Sequence, residues 1–367
     1  MSISPVVRVA SIVMVAGTVI ASCSSDGDGA SNTTIKSSSS SSAPSAAATT
    51  TTVARPSTSA GCDPSAPVPA SATDAVPFGD SQVDLTSGGK DRYYLRHIPA
   101  NYAVGTAMPV IVDLHGYQEG AAIHTSMSSL GVYGDKEGFI TITPQGSANP
   151  VPRWDVDLAS PDVAFIGDVL DDIEATLCVD LHRVFAAGLS NGAFMTSSLA
   201  CAYADRFAAV APVAGVRSNV KNCKPARAVP LITFHGTADG FVAFDGGLGK
   251  AALELPTPDG KGKIGDNPAA LEGANGPSVP EQVAGWAKRN GCDSKATETN
   301  VAADVTLVSY KCPVDADVMF YRVEGGGHSW PGSEFSKNAA AILGVTTFSI
   351  SANELMWKFF TEHPLPK

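Results

Sequence analysis

Val184-Phe185-Ala186-Ala187-Gly188-Leu189-Ser190-Asn191-Gly192-Ala193-Phe194-Met195 decides how this chain is read. A short apolar run enters a G-x-S-x-G pentapeptide, and a helix-compatible run, Ala193 to Tyr203, leaves it. Strand, sharp turn and helix in that order form the context in which a serine hydroxyl is lifted clear of the backbone as a nucleophile. The glycines have a steric reason. A side chain at Gly188 or Gly192 would collide with the neighbouring strand and helix. The pentapeptide alone is common in a chain rich in glycine and serine, so its weight comes from these flanks and from what lies downstream.

A serine hydroxyl needs a base, and the base needs an orienting acid. In the α/β-hydrolase fold these follow in the order serine, acid, histidine. Val229-Pro230-Leu231-Ile232-Thr233-Phe234-His235 reads as a buried strand that breaks at Gly236 and leaves Asp239 in the next loop. Asp317 to Glu324 reads as another strand, broken by Gly325-Gly326-Gly327 with His328 directly after. Taken singly, the aspartate is an ordinary turn residue and the histidine an ordinary surface or core residue. In this order, each at a strand end, they are expected to form a triad: Ser190, Asp239 and His328. The alternative acid, Asp245, lies deeper in a glycine-rich loop.

Acyl transfer also needs donors for an oxyanion. The backbone N–H of Asn191, at a helix N-terminus, is one candidate. Pro109-Val110-Ile111-Val112-Asp113-Leu114-His115-Gly116-Tyr117 is a strand followed by a His-Gly turn, and the N–H of Tyr117 is the other. His115 precedes the serine and sits in the oxyanion loop, which argues against its being a second base. Trp154 and Trp330 are candidates for the wall of an acyl pocket, set against ordinary core packing.

Leu114-His115-Gly116, Gly188-Leu189-Ser190-Asn191-Gly192, His235-Gly236-Thr237-Ala238-Asp239 and Gly325-Gly326-Gly327-His328-Ser329-Trp330-Pro331-Gly332 resemble the esterase family of polyhydroxybutyrate depolymerases, feruloyl esterases and some acetylxylan esterases. The resemblance runs from about Gln82 to the C-terminus and is sharpest in the last motif. It implies that Ser190, Asp239 and His328 are nucleophile, acid and base, in agreement with the reading from the residues. The Gly/Pro-rich stretch from Asp245 to Gly276 is longer than a minimal connection. It reads as a surface excursion at the rim of the site, either a lid or an insertion with no contact to it.

The N-terminus reads as a targeting segment. Val9 to Ile20 is apolar but short for a bilayer span, and Ile20-Ala21-Ser22-Cys23 then resembles a bacterial lipoprotein signal. The resemblance implies a signal peptide over 1–22 and a lipid on Cys23, with ordinary secretion as the alternative. Residues 23–61 are rich in Ser, Thr and Ala and have few large apolar side chains, so a disordered tether is expected there. Residues 62–367 suit one catalytic domain. The remaining cysteines, Cys62, Cys178, Cys201, Cys223, Cys292 and Cys312, are even in number and favour disulfides in an exported chain. Of the 15 pairings allowed to six cysteines, Cys201 with Cys223 brackets one strand and Cys292 with Cys312 staples a hairpin, which leaves Cys62 with Cys178.

Runs of strand alternating with helix, such as Val163 to Leu177 with its apolar positions at helical spacing, predict a mostly parallel, doubly wound α/β sheet with helices on both faces. Ser351 to Glu354 has capping-box spacing and opens a last helix. A formal net charge of -11 with no basic run argues against nucleic-acid binding. No cofactor and no metal are expected, since no C-x-x-C or His/Cys cluster is present. The leading expectation is an exported, surface-anchored serine esterase acting on polymeric or oligomeric esters, and reaching the membrane through its lipid only. Polyhydroxyalkanoate and feruloyl or acetyl esters of polysaccharide compete as substrates. A serine peptidase and a silent binding module are the readings from other classes; the first lacks an extra domain to restrict peptide access, and the second would forfeit an intact triad.

Overall fold

The computed structural model describes residues 55–63, 65, 79–267 and 276–366. The signal segment, Cys23, most of the expected tether and residues 268–275 of the excursion lie outside the described residues.

Among the described residues, ten strands form one sheet: β1 (Gly79–Ser87), β2 (Lys90–Ile98), β3 (Met108–Leu114), β4 (Ile140–Pro144), β5 (Val179–Leu189), β6 (Val210–Val213), β7 (Leu231–Gly236), β8 (Ala296–Ala302), β9 (Val305–Tyr310) and β10 (Val318–Val323). Their spatial order is β1-β2-β4-β3-β5-β6-β7-β10-β9-β8. From β4 across to β10 every neighbouring pair is parallel. Two antiparallel hairpins, β1 with β2 and β8 with β9, extend the edges. The sequence signals for β3, β5, β7 and β10 mark these strands; β1, half-exposed and without an apolar run, carries no such signal.

The central strands are buried on both faces, which is why they read as continuous apolar runs. Alternation along each strand then divides two cores. Val110, Val112, Leu114, Val184 and Ala186 face one core, with Phe165, Ile166, Val169 and Leu170 of α3 (Pro161–Thr176). Ile111, Phe185 and Ala187 face the other. There they meet Met127 of α1 (Ala121–Ser128), Leu130 of α2 (Leu130–Glu137), and Met356, Phe359 and Phe360 from the last helix. Helix α4 (Asn191–Ala202) follows β5, a short α5 (Lys250–Leu253) follows β7, and α6 (Val279–Arg289) precedes the β8–β9 hairpin. Helices α7 (Glu334–Asn338), α8 (Ala340–Leu343) and α9 (Ala352–Glu362) close the chain. Ser351 does cap α9, its hydroxyl accepting from the Glu354 N–H at 3.4 Å. This strand order, with helices on both faces, is the α/β-hydrolase fold.

The last residues of the stretch expected as a tether, 55–61, depart from what their composition indicates. Residues 55–61 are packed onto the domain: Ser59 N–H donates to Val179 O, Ser57 O accepts from Leu181 N–H, and Arg55 pairs with Glu174. Specific backbone pairing beside β5 overrides the polar composition. Three disulfides join Cys62 to Cys178, Cys201 to Cys223 and Cys292 to Cys312. The last pair closes the β8–β9 hairpin, and the first fastens the 55–62 segment to the start of β5.

Cys62–Cys178 closes a loop of 116 residues and Cys201–Cys223 one of 22. By loop-closure entropy, replacing the first pair with serines is expected to cost about 1.5 kcal/mol more than replacing the second. Urea denaturation of the two double variants checks this; an equal or reversed order would contradict it.

Candidate active site

The carboxyl ends of β3, β5, β7 and β10 converge on one rim, as parallel sheets present their functional loops. The turn after β5 is the tightest of them. Ser190 stands at φ 58° and ψ -116°, a conformation that costs a non-glycine residue on the order of 1–3 kcal/mol. The turn is held by the Ser190 N–H donating to Val213 O (2.9 Å) and by Ser190 O accepting from the Phe194 N–H (3.0 Å). At Gly192 an added Cβ would overlap Leu114 O and His115 O, so α4 starts in contact with the end of β3.

Ser190 and His328 line one cleft of about 340 Å³, together with Gly116, Tyr117, Phe241 and Leu255. The imidazole Nδ1 of His328 lies 2.7 Å from Asp239 Oδ2, with both side chains buried. The loop that delivers His328 is tight as well: a Cβ at Gly327 would overlap Leu343 O. The other carboxylate oxygen of Asp239 accepts from the N–H groups of Phe241 (2.8 Å) and Val242 (3.0 Å). Burial opposes ionisation of Asp239, but His328, His235 and the Phe241 N–H beside it hold its pKa below the usual carboxylate value. Asp245 is exposed, in the loop beyond.

One of those imidazoles belongs to His235, for which the sequence gives no role. Its Nε2 sits 2.9 Å from Val242 O and 3.3 Å from Asp239 Oδ2. Burial lowers its pKa, so the ring is neutral and donates from Nε2. It props the loop that carries the aspartate.

The oxyanion-loop candidates also come together at this rim. Tyr117 lines the cleft, and Asn191 is the first residue of α4. The next N–H, that of Gln118, is committed to Pro152 O at 2.8 Å. His115 is fully buried, its Nδ1 2.8 Å from Gly116 O and its Nε2 accepting from the Gly146 N–H at 2.9 Å. Burial pushes its pKa down to about 4. It is therefore a neutral, Nδ1-protonated strut of the loop and faces no substrate.

Neither tryptophan lines the cleft around Ser190. Trp154 is buried; its indole N–H donates to His115 O (2.9 Å), and its backbone exchanges hydrogen bonds with the Asn191 amide. It ties the loop after β3 to the start of α4. Trp330 is buried in the second core, with its indole N–H on Asn353 Oδ1 at 2.8 Å. Core packing, the alternative for both, is what the structure has. The excursion does touch the cleft: Leu255 forms part of the wall, and Pro256 O accepts from the Tyr117 hydroxyl at 2.9 Å.

Below the loop lies a charged cluster. His124 Nε2 is 2.8 Å from Asp113 Oδ1, and its Nδ1 is 3.1 Å from Glu119 Oε2. Ser128 Oγ donates to Asp113 Oδ2, and the Gly116 N–H donates to Glu119 Oε2 at 2.6 Å. Burial alone would lower the pKa of His124, but the two carboxylates raise it to about 10, so the ring is an imidazolium. The one sequence signal was Asp113, a charge inside the otherwise apolar run of β3, where a buried carboxylate demands a partner. Among the described residues no group of three or more His, Cys, Asp or Glu is arranged to hold a metal ion.

Residues 93–234 match the family model described as Esterase PHB depolymerase. The protein of Nocardia uniformis subsp. tsuyamanensis named "Putative esterase NocK" is 29% identical over 326 residues, covering 80% of this chain and 90% of that protein. Feruloyl esterase B of Piromyces equi is 28% identical over 239 residues, 63% of this chain and 41% of the relative. Poly(3-hydroxyalkanoate) depolymerase C of Paucimonas lemoignei is 31% identical over 128 residues, 33% and 30% respectively. The chain spans most of the Nocardia protein and less than half of the other two.

His124 ties stability to pH. Its folded pKa is raised above the ordinary 6.5, so its contribution is complete below that value and is lost as pH rises toward about 10. His124→Gln is expected to be less stable than the parent at pH 6, with the gap closing by pH 10. Denaturant midpoints across that range check it; a gap independent of pH would refute an imidazolium.

Proposed function

We propose that this carboxylic ester hydrolase, which carries an Esterase PHB depolymerase domain over residues 93–234, works through Ser190, His328 and Asp239. The observation that carries the reading is the buried 2.7 Å contact of His328 Nδ1 with Asp239, in the cleft that the strained Ser190 also lines. With Nδ1–H donated to Asp239, Nε2 is the lone-pair nitrogen and takes the serine proton as Oγ attacks the ester carbonyl. Asp239 stabilises the imidazolium that forms. The N–H groups of Asn191 and Tyr117 receive the oxyanion. His328 then returns its proton to the leaving alcohol, and the acyl-enzyme is hydrolysed by water with His328 again as base.

A hydroxyalkanoate ester is the substrate class favoured, supported by the family described for residues 93–234 and by an apolar cleft walled by Met127, Leu189, Leu255 and Leu343. A feruloyl or acetylxylan ester is the second reading, supported by the likeness to feruloyl esterase B. Three disulfides support an oxidising compartment outside the cytoplasm. Attachment to the bacterial surface through a lipid on Cys23 rests on the lipoprotein-like run Ile20 to Cys23.

A serine-directed phosphonate is expected to label Ser190 alone, and Ser190→Ala to lose hydrolysis of a short p-nitrophenyl ester. Asp239→Asn should lower kcat by on the order of 10⁴ while Asp245→Asn stays near the parent. A severe defect in Asp245→Asn with a mild one in Asp239→Asn would place the acid elsewhere. For the anchor, Cys23→Ala should move the protein from the membrane fraction to the soluble one; a wild-type protein already soluble would point to plain secretion.

A further inference from the structure

Beside the catalytic cleft lies a smaller cavity of about 210 Å³, bounded by Phe194, Val216, Arg217, Val242, Leu248 and Gln282 among others. The two are neighbours along the chain and in space. Phe241 lines the cleft, and Val242, the next residue, lines the cavity. Phe194 stands one turn of α4 beyond Ser190, with its N–H on Ser190 O. Gly215, whose added Cβ would lie 2.6 Å from Ser190 O, leads directly into Val216 and Arg217.

Among the described residues, Arg217 is the only charged side chain that lines this cavity, in a protein of formal net charge -11. Its guanidinium carbon lies 5.4 Å from the centroid of the Phe194 ring. Among the described residues the guanidinium has neither an ion pair nor a hydrogen-bond partner. Its nitrogens are open to solvent and not sealed in the protein. Arg227 makes the contrast: also part-buried, it spends its N–H groups on the carbonyl oxygens of Ala204, Phe207, Ala208 and Ala228. A structural arginine is satisfied in that way, and Arg217 is not. Burial lowers the pKa of Arg217, and only Asp157 favours its charge; a guanidinium still stays protonated at neutral pH. The partner it lacks is an anion. Its planar fork of N–H groups matches a carboxylate bidentately, and Val216, Val242 and Leu248 suit a short aliphatic stem behind that carboxylate.

We infer that Arg217 is a specificity residue: it holds the free carboxylate at the acid end of a hydroxyalkanoate oligomer while the neighbouring ester bond is cleaved at Ser190. Each oligomer has one such carboxylate, and the internal units of a long chain have none. Short oligomers with a free acid end are therefore preferred over the internal bonds of a polymer. The inference rests on the hydroxyalkanoate reading and on Ser190 as nucleophile. Long-range electrostatics alone predict the opposite preference, since a net charge of -11 disfavours an anionic substrate.

The test compares kcat/KM on the dimer of 3-hydroxybutyrate with its acid end free and on the same dimer with that end as a primary amide. Each has a single ester bond, and the amide keeps the shape of the carboxylate without its charge. A bidentate pair of charged groups is expected to favour the free acid by about 10- to 100-fold. In Arg217→Gln the ratio should fall to one or below, whatever happens to the absolute rates. Arg217→Lys, which keeps the charge and loses the fork, should fall between. A merely structural role for Arg217 would slow both dimers together and leave the ratio as it was. Equal use of the two dimers by the parent enzyme overturns the inference even if the variants fail to fold. Hydrolysis of neither dimer, with turnover of a feruloyl ester, would overturn the hydroxyalkanoate reading and the inference with it. Hydrolysis surviving in Ser190→Ala would overturn the nucleophile assignment.

Discussion

Helix α4 begins so close to β3 that a side chain at Gly192 would overlap the carbonyls of Leu114 and His115. That single contact fixes the relation between the serine turn and the loop after β3, and the other parts of the site are referenced to it. Trp154 spans the same junction, with its indole on His115 O and its backbone on the Asn191 side chain. The backbone strain at Ser190 persists because both flanks are held, β5 in the sheet and α4 against β3. A serine in open backbone would relax out of this conformation and withdraw its hydroxyl from the cleft.

Two buried histidines nine residues apart show how partners, and not burial, set charge. His115 is surrounded by backbone groups and stays neutral, with a pKa pushed to about 4. His124 is buried just as completely but lies between two carboxylates, and its pKa is raised to about 10. Neutral His115 shapes the loop by hydrogen bonding alone. Cationic His124 permits an anion, Glu119, to stand at the wall of an otherwise apolar cleft. Without a compensating charge a carboxylate in that place would take up a proton and become a donor itself.

The architecture was legible where period and punctuation agree. β3 ends where its apolar run meets the His-Gly turn, and β7 and β10 end at or just before the glycines that precede Asp239 and His328. What escaped were features set by contacts distant in sequence. Residues 55–61 look like linker by composition and are ordered by pairing with residues more than a hundred positions away. The tryptophans were ambiguous because an indole serves core and pocket equally well, and only the partners of Trp154 and Trp330 decide. His124 and Glu119 carried no motif, since a salt-bridged cluster depends on which loops meet and leaves no fixed spacing. Asp113, a charge inside an apolar strand, is the signal that could have pointed to them, since a carboxylate buried there needs a partner.

Division of labour around Asp239 follows from the same physics. One of its oxygens is saturated by the N–H groups of Phe241 and Val242, which leaves the other for His328 with neutral His235 at its flank. A carboxylate so held cannot rotate to follow the ring, so it fixes the ring instead, with the Nδ1 proton committed and Nε2 turned to the cleft. Glu119 is held differently: its Oε2 takes both the Gly116 N–H and the His124 ring, and its Oε1 is buried without a partner in the protein. Of these two buried carboxylates, then, Asp239 is fixed against the His328 ring and Glu119 against the N–H that opens the loop after β3, and each is kept ionised by the partners around it.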